Sequence, residues 1–212
     1  MEATKCDVST DGSAGRRLRT GSIIERFLFF PFFITKECCA NISGKGEKMK
    51  YKKIVGKNYV GNYTETRIAC RGIVISDGKL LLSYETERDF FMLPGGGLEK
   101  GETEAECCIR EVSEETGNII TVSPCVLEID EYYVDQRFIT FYFFGTVTGQ
   151  TEKHLTAEEA LFGLKPVYIP VKEAVSIFSK YNECDGNKGR YGSYLREYTA
   201  LITALEELGE NY

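Results

Sequence analysis

Gly95-Gly96-Gly97-Leu98-Glu99-Lys100-Gly101-Glu102-Thr103-Glu104-Ala105-Glu106-Cys107-Cys108-Ile109-Arg110-Glu111-Val112-Ser113-Glu114-Glu115-Thr116-Gly117 is the stretch whose reading decides the fold. From Thr103 it reads as a helix that closes on Gly117, a residue suited to the left-handed turn after a helix. Glu111, Glu114 and Glu115 fall within about a 100° arc of that helix, because positions i, i+3 and i+4 share a face. Ala105, Ile109, Val112 and Thr116 lie opposite and supply a strip for packing. An acidic strip near a helix C-terminus is unfavourable alone, since like charges repel and Glu opposes the macrodipole. A divalent cation reverses that cost. Oxygen ligands at this density suit Mg²⁺, with Mn²⁺ as the alternative. Arg110, spaced i, i+4 from Glu106 and Glu114, can orient a carboxylate, and the glycine triplet permits a backbone carbonyl to approach the same point.

Taken singly, each feature describes a solvated acidic helix behind a flexible turn. Together they form a pattern. Gly96, five residues, Glu102, seven residues and then Arg110-Glu111-Val112-Ser113-Glu114-Glu115-Thr116-Gly117 resembles the Nudix box, Gly-x5-Glu-x7-Arg-Glu-U-x-Glu-Glu-x-Gly-U with U aliphatic. Residues 96 to 118 meet every fixed position but the last, where Asn118 stands; Ile119 or Ile120 is expected to take over its packing role. The resemblance implies an α/β fold, a Nudix-type α/β/α sandwich with a mixed β-sheet. It implies Glu111 and Glu115 as principal Mg²⁺ ligands, Glu114 and the Gly96 carbonyl as additional ones, and Glu102 and Arg110 as the residues that shape the site. It implies attack of water on a phosphorus of a nucleoside diphosphate linked to another moiety, the work of a nucleotide or nucleotide-sugar pyrophosphatase. The general base is left open among Glu111, Glu114, Glu158 and Glu159, with the last two also readable as surface residues opening a short helical turn. The alternative is a catalytically silent Nudix-fold module that senses a nucleotide or binds a protein. A Ca²⁺- or Mn²⁺-binding structural protein would leave the glycines and Arg110 without a purpose.

Around the box, Arg67 to Ile75 and Lys79 to Tyr84 read as strands joined at Asp77-Gly78, a strong hairpin signal. Phe90 to Leu93 reads as a short strand, and further strands are expected near 119–132, 137–148 and 164–169. Helices follow from Val171 to Tyr181 and from about Tyr191 to Leu208, with a polar loop between them. Tyr132, Tyr133, Phe138, Tyr142, Phe90 and Phe91 are candidate stacking surfaces for a base or, equally, core residues. Subfamily markers are thin. No Pro stands at the downstream spacing of ADP-ribose hydrolases, no aromatic-Pro signature of the NADH-cleaving type is present, and Tyr132 and Tyr133 fall short of the dinucleoside polyphosphate spacing. His154, beside Lys153 in a polar loop, reads as solvated.

The 212 residues carry a formal charge of −6, which disfavours capture of a nucleic acid polymer. A small nucleotide-type substrate remains the expected partner, because a metal ion can supply the missing positive charge. The eight Cys show no CxxC pair and are read as reduced thiols of a cytoplasmic protein. Residues 1–48 read as an N-terminal extension, disordered or upstream of a natural start at Met49, and residues 49–212 as the Nudix domain. The aromatic run Phe27 to Phe33 is broken by Pro31 and is shorter than the roughly 20 residues that span a bilayer. No membrane association is expected, and the resemblance makes a homodimer an open option.

Overall fold

The structure, a computed structural model, describes residues 49–184 and 188–209. The extension expected over residues 1–48 and its aromatic run lie outside them. Nine strands and four α-helices follow in the order β1 (Lys50–Val55), β2 (Glu65–Ser76), β3 (Lys79–Glu85), β4 (Phe90–Met92), β5 (Gly95–Gly97), α1 (Glu104–Thr116), β6 (Asn118–Val122), β7 (Leu127–Tyr133), β8 (Gln136–Gln150), α2 (Ala157–Leu161), β9 (Leu164–Pro170), α3 (Val171–Ser179) and α4 (Lys188–Glu207), with a 3₁₀ turn at Lys180–Glu183, all counted among the described residues.

The strands form one mixed sheet with the main order β1-β7-β8-β2-β3-β4; β5 pairs with β2, β6 with β8 and β9 with β3. β2 runs parallel to β8 from Glu65↔Gln136 to Val74↔Gly145, and β1 runs parallel to β7. The remaining pairs are antiparallel. Period-two alternation divides the side chains between two cores. Ile73, Leu80, Leu82, Ile129 and Tyr142 point to the layer of α3 and α4, where they meet Phe178, Ala200 and Leu201. Cys70, Val74, Leu81 and Phe143 point the other way, onto Cys107, Cys108 and Val112 of α1. Helices on both faces of a mixed sheet make the expected α/β/α sandwich.

Several expectations need adjustment. The single strand near 119–132 is two, β6 and β7, separated around Ser123-Pro124; Pro has no N–H to offer a ladder. β1 went unread because Lys50, Tyr51, Lys52 and Lys53 are all exposed and carry no apolar alternation. The glycine triplet, read as a turn, is a short strand whose Cys70↔Gly96 pairing locks it to β2. Ile120, not the exposed Ile119, fills the packing place that Asn118 leaves, while Asn118 donates its amide to the Thr116 hydroxyl at 3.0 Å.

Candidate active site

The sequence of α1 sets both of its ends. At the start, the Thr103 hydroxyl accepts from the Glu106 N–H at 3.3 Å and the Glu106 carboxylate accepts from the Thr103 N–H at 2.8 Å, a reciprocal capping box. Glu106 is therefore committed to the cap and is not the partner of Arg110 that its spacing allowed. At the other end Gly117 adopts φ 72° and its N–H reaches Ser113 O. The helix is thus held in register under the sheet, with Glu111, Glu114 and Glu115 in its second half.

Arg110 is the hub of the site. Its guanidinium donates to Glu102 at 2.7 and 3.0 Å, to Glu111 at 2.9 Å, to Glu114 at 3.1 Å and to the Gly97 carbonyl at 3.1 Å. One cation facing three carboxylates binds all of them as charge-assisted hydrogen bonds. The Arg110 bond holds the Glu102 carboxyl down to about 2 against a modest burial penalty, helped by the Glu99 N–H. Burial dominates at Glu111 and raises its carboxyl above the usual range despite Arg110.

Glu115 turns inward. Its carboxylate accepts from the Ser83 hydroxyl at 2.5 Å and from the Gly95 N–H at 3.2 Å. Burial pushes it up to about 7, with Ser83, the nearby Arg71 and the Gly95 N–H pulling the other way. Gly96 completes the arrangement, since a Cβ there would lie 2.5 Å from the Glu111 carboxyl carbon. Only glycine lets this carboxylate rest against the loop backbone.

Among the described residues no cluster of three His, Cys, Asp or Glu side chains stands ready around a single point. Arg110 gathers Glu111 and Glu114, while Ser83 and the Gly95 N–H draw Glu115 inward. Their chemistry still fits a hard divalent cation: carboxylate oxygens, those of Glu111 and Glu115 largely buried and poorly solvated, beside the backbone of Gly96.

Gly95, Gly96, Gly97, Arg110, Glu111, Glu114 and Glu115 line one edge of a cavity of about 1360 Å³, and Ser83 and Glu102 hold their partners there without lining it. Glu158 and Glu159 line it too, from the short helix α2. The expectation of a helical turn holds, with a second capping box in which Glu159 accepts from the Thr156 N–H at 2.8 Å. Glu158 keeps its carboxylate free of any hydrogen bond or ion pair among the described residues. Of the candidate aromatic residues, Tyr133 and Phe138 line the cavity. Tyr142 is fully buried in the core, Phe90 stacks on Tyr194 and Phe91 on Tyr84, and Tyr132 gives its hydroxyl to Asp130 at 2.8 Å. His154 is exposed, as expected; its contact with the site is a backbone N–H to Glu114 O at 2.9 Å.

Sequence reasoning missed the polar floor. Arg71 of β2 pairs with Glu197 of α4 at 3.4 Å, and Arg196 pairs with Glu197 at 3.1 Å and with Glu131 of β7 at 3.4 Å. A signal existed. Each of these four charges interrupts an otherwise apolar face, as Glu131 does after Leu127 and Ile129, and Glu197 before Ala200 and Leu201. A charge on a buried face requires a partner.

A family model described as NUDIX domain matches residues 66–185. An ADP-ribose pyrophosphatase of Methanocaldococcus jannaschii is 38% identical over 94 residues, covering 38% of this chain and 55% of that protein. A segment of the mRNA-decapping enzyme subunit 2 of Saccharomyces cerevisiae is 36% identical over 75 residues, covering 34% of this chain and 7% of that protein. The chain thus spans about half the length of the first relative and a small part of the second. A solved NUDIX hydrolase from Nitrosomonas europaea superposes with a TM-score of 0.48 at 22% identity, over 64% of this chain and 89% of that one.

Proposed function

The chain belongs to the NUDIX domain family, and from that premise we propose that it is a metal-dependent hydrolase cutting a phosphoanhydride bond in a nucleoside diphosphate linked to another moiety. The observation that carries the proposal is that Glu111, Glu114, Glu115 and Gly96 border the same cavity, one large enough for such a substrate. Glu111, Glu115, Glu114 and the Gly96 carbonyl would hold Mg²⁺, or Mn²⁺ in its place. When bound, the ion acidifies the attacking water and neutralises phosphate charge.

The chain's own residues do the rest. Arg110 keeps Glu111 and Glu114 at the cavity edge and prevents them from turning to solvent. Glu102 sets Arg110 from the other side. Ser83 and the Gly95 N–H fix Glu115 in one rotamer. Of the two glutamates on α2, Glu158 is the better base, because Glu159 is tied to its cap and Glu158 is not. The products are a nucleoside monophosphate and a phosphorylated remainder. The likeness to an ADP-ribose pyrophosphatase supports a nucleotide-sugar class, while the missing downstream Pro keeps the proposal general. No helix among the described residues is long and apolar enough to cross a membrane. No observation favours the silent module, since every carboxylate of the box is in place.

The test is a panel of nucleoside diphosphate derivatives with Mg²⁺, following released monophosphate. Activity should vanish in EDTA and return with Mg²⁺. Glu115→Gln keeps the size of the side chain and should lose two or more orders of magnitude in kcat, as roughly a 10²-fold loss follows from misplacing a reacting group by about 1 Å. Unchanged turnover by that variant, with the fold intact by circular dichroism, would remove Glu115 from the metal site.

A further inference from the structure

The helix α2 carries Glu158 and Glu159 to the cavity, yet it buries none of its own five residues. A helix this short does not persist alone in water, and without a buried face packing cannot fix its place. Its position is set from its two ends. Before α2, the His154 N–H donates to Glu114 O at 2.9 Å and ties the approach to the end of α1. After α2, the turn between β3 and β4 holds the chain: the Glu87 N–H donates to Phe162 O at 3.2 Å and the Thr86 hydroxyl to Gly163 O at 3.3 Å. Burial first, and among lesser causes the charge of Glu159, raise the Glu111 carboxyl, so α2 faces the box across the cavity.

Arg88 closes the second anchor. Its guanidinium carbon lies 3.1 Å from the centre of the Phe162 ring, a cation held over an aromatic face. The same guanidinium reaches the Glu85 carboxylate at 3.5 Å, and the Arg88 carbonyl accepts from Arg190 of α4. Arg88 thus joins β3, α2 and α4. Glu85, Glu158 and Phe162 line the cavity, whereas Arg88 stands behind that wall with 48% of its side chain exposed. It acts on the cavity only through the residues it holds.

We propose that Arg88 is a positioning residue for the free carboxylate of α2: by clamping Phe162 to the turn between β3 and β4 it holds Glu158 at the cavity. This deepens the hydrolase reading and rests on it for the part of Glu158 as base.

Hydrogen–deuterium exchange of the full chain, read by mass spectrometry, tests the clamp without turnover. Arg88→Met keeps the length of the side chain and removes the cation; it should speed exchange between Thr156 and Gly163 about tenfold and leave α1 unchanged. Phe162→Leu removes the ring and should speed the same segment, which covers the case in which Arg88→Met fails to fold. On whichever diphosphate the chain hydrolyses, Arg88→Met should lower kcat about tenfold with KM unchanged, as a misplaced reacting group does. In a Glu158→Gln background the same substitution should cost nothing further, because the two residues act as one unit. Equal losses in both backgrounds overturn the proposal. So does unchanged exchange of α2 in folded Arg88→Met, or full activity of Glu158→Gln, which leaves Arg88 no base to position. Faster exchange of α2 in a chain whose wild type hydrolyses no diphosphate would instead remove the hydrolase reading and leave the clamp standing.

Discussion

Arg110 shows how far single residues could be read from spacing. Its role as an organiser of carboxylates followed from its position, and its bond to Glu114 is one the i, i+4 rule allows. Its strongest partner, Glu102, lies eight residues away before the helix begins, and only the folded loop brings it within 2.7 Å. That pair has a measurable signature. The Glu102 carboxyl ordinarily titrates near 4.5 and is held at about 2 in the folded chain, first by its bond to Arg110. A depressed carboxyl adds stability that is present above the unfolded value and lost as pH falls through the folded one. Chemical denaturation between neutral pH and pH 2 should therefore show stability dropping below about pH 4.5. Glu102→Gln should be less stable at neutral pH and flatter across that acid window. Parallel curves for the two proteins would mean that the pair contributes nothing to folding.

At the scale of elements, signals local in sequence were legible and signals made by distant chain were not. The Asp77-Gly78 turn joins Ile75↔Leu80 and Ser76↔Lys79 as its two residues suggested, with φ 50° and 72°. β1 has no such signal, since its pairing among the described residues is with β7, more than seventy residues on. β5 looked like a flexible turn because three glycines lack side chains to read, yet the backbone of β2 holds it straight. Gly117 is the opposite case, a local signal with a tertiary consequence. Its left-handed φ ends α1, and a Cβ there would lie 2.8 Å from Thr151 O. Gly117→Ala should destabilise the fold by about 1–2 kcal/mol from backbone strain, with the clash adding to it. Urea denaturation measures the loss, and no change in midpoint would show that the end of α1 can relax without it.

The whole molecule is closed by charges on its floor. Arg71 in the sheet, Glu197 and Arg196 on α4 and Glu131 on β7 tie the C-terminal helix across the cavity that the box opens at its other edge. Two cations and two anions balance, so the site gains a rigid polar floor without a net charge. Such pairs stabilise little relative to apolar packing, but removing one member strands its partners. Glu197 is the member shared by both arginines, and its side chain is fully buried. Glu197→Ala should cost about 3–5 kcal/mol in unfolding free energy, because Arg71 loses its carboxylate and Arg196 keeps only Glu131. Glu197→Gln retains an acceptor and should cost less. The two variants also separate closure from chemistry: if the floor serves to position substrate, the folded fraction of Glu197→Gln should raise KM more than it lowers kcat, since its site lies on α4 and not on the box. A loss confined to kcat would show instead that the charge network reaches the carboxylates of α1 through Arg71 and Glu115.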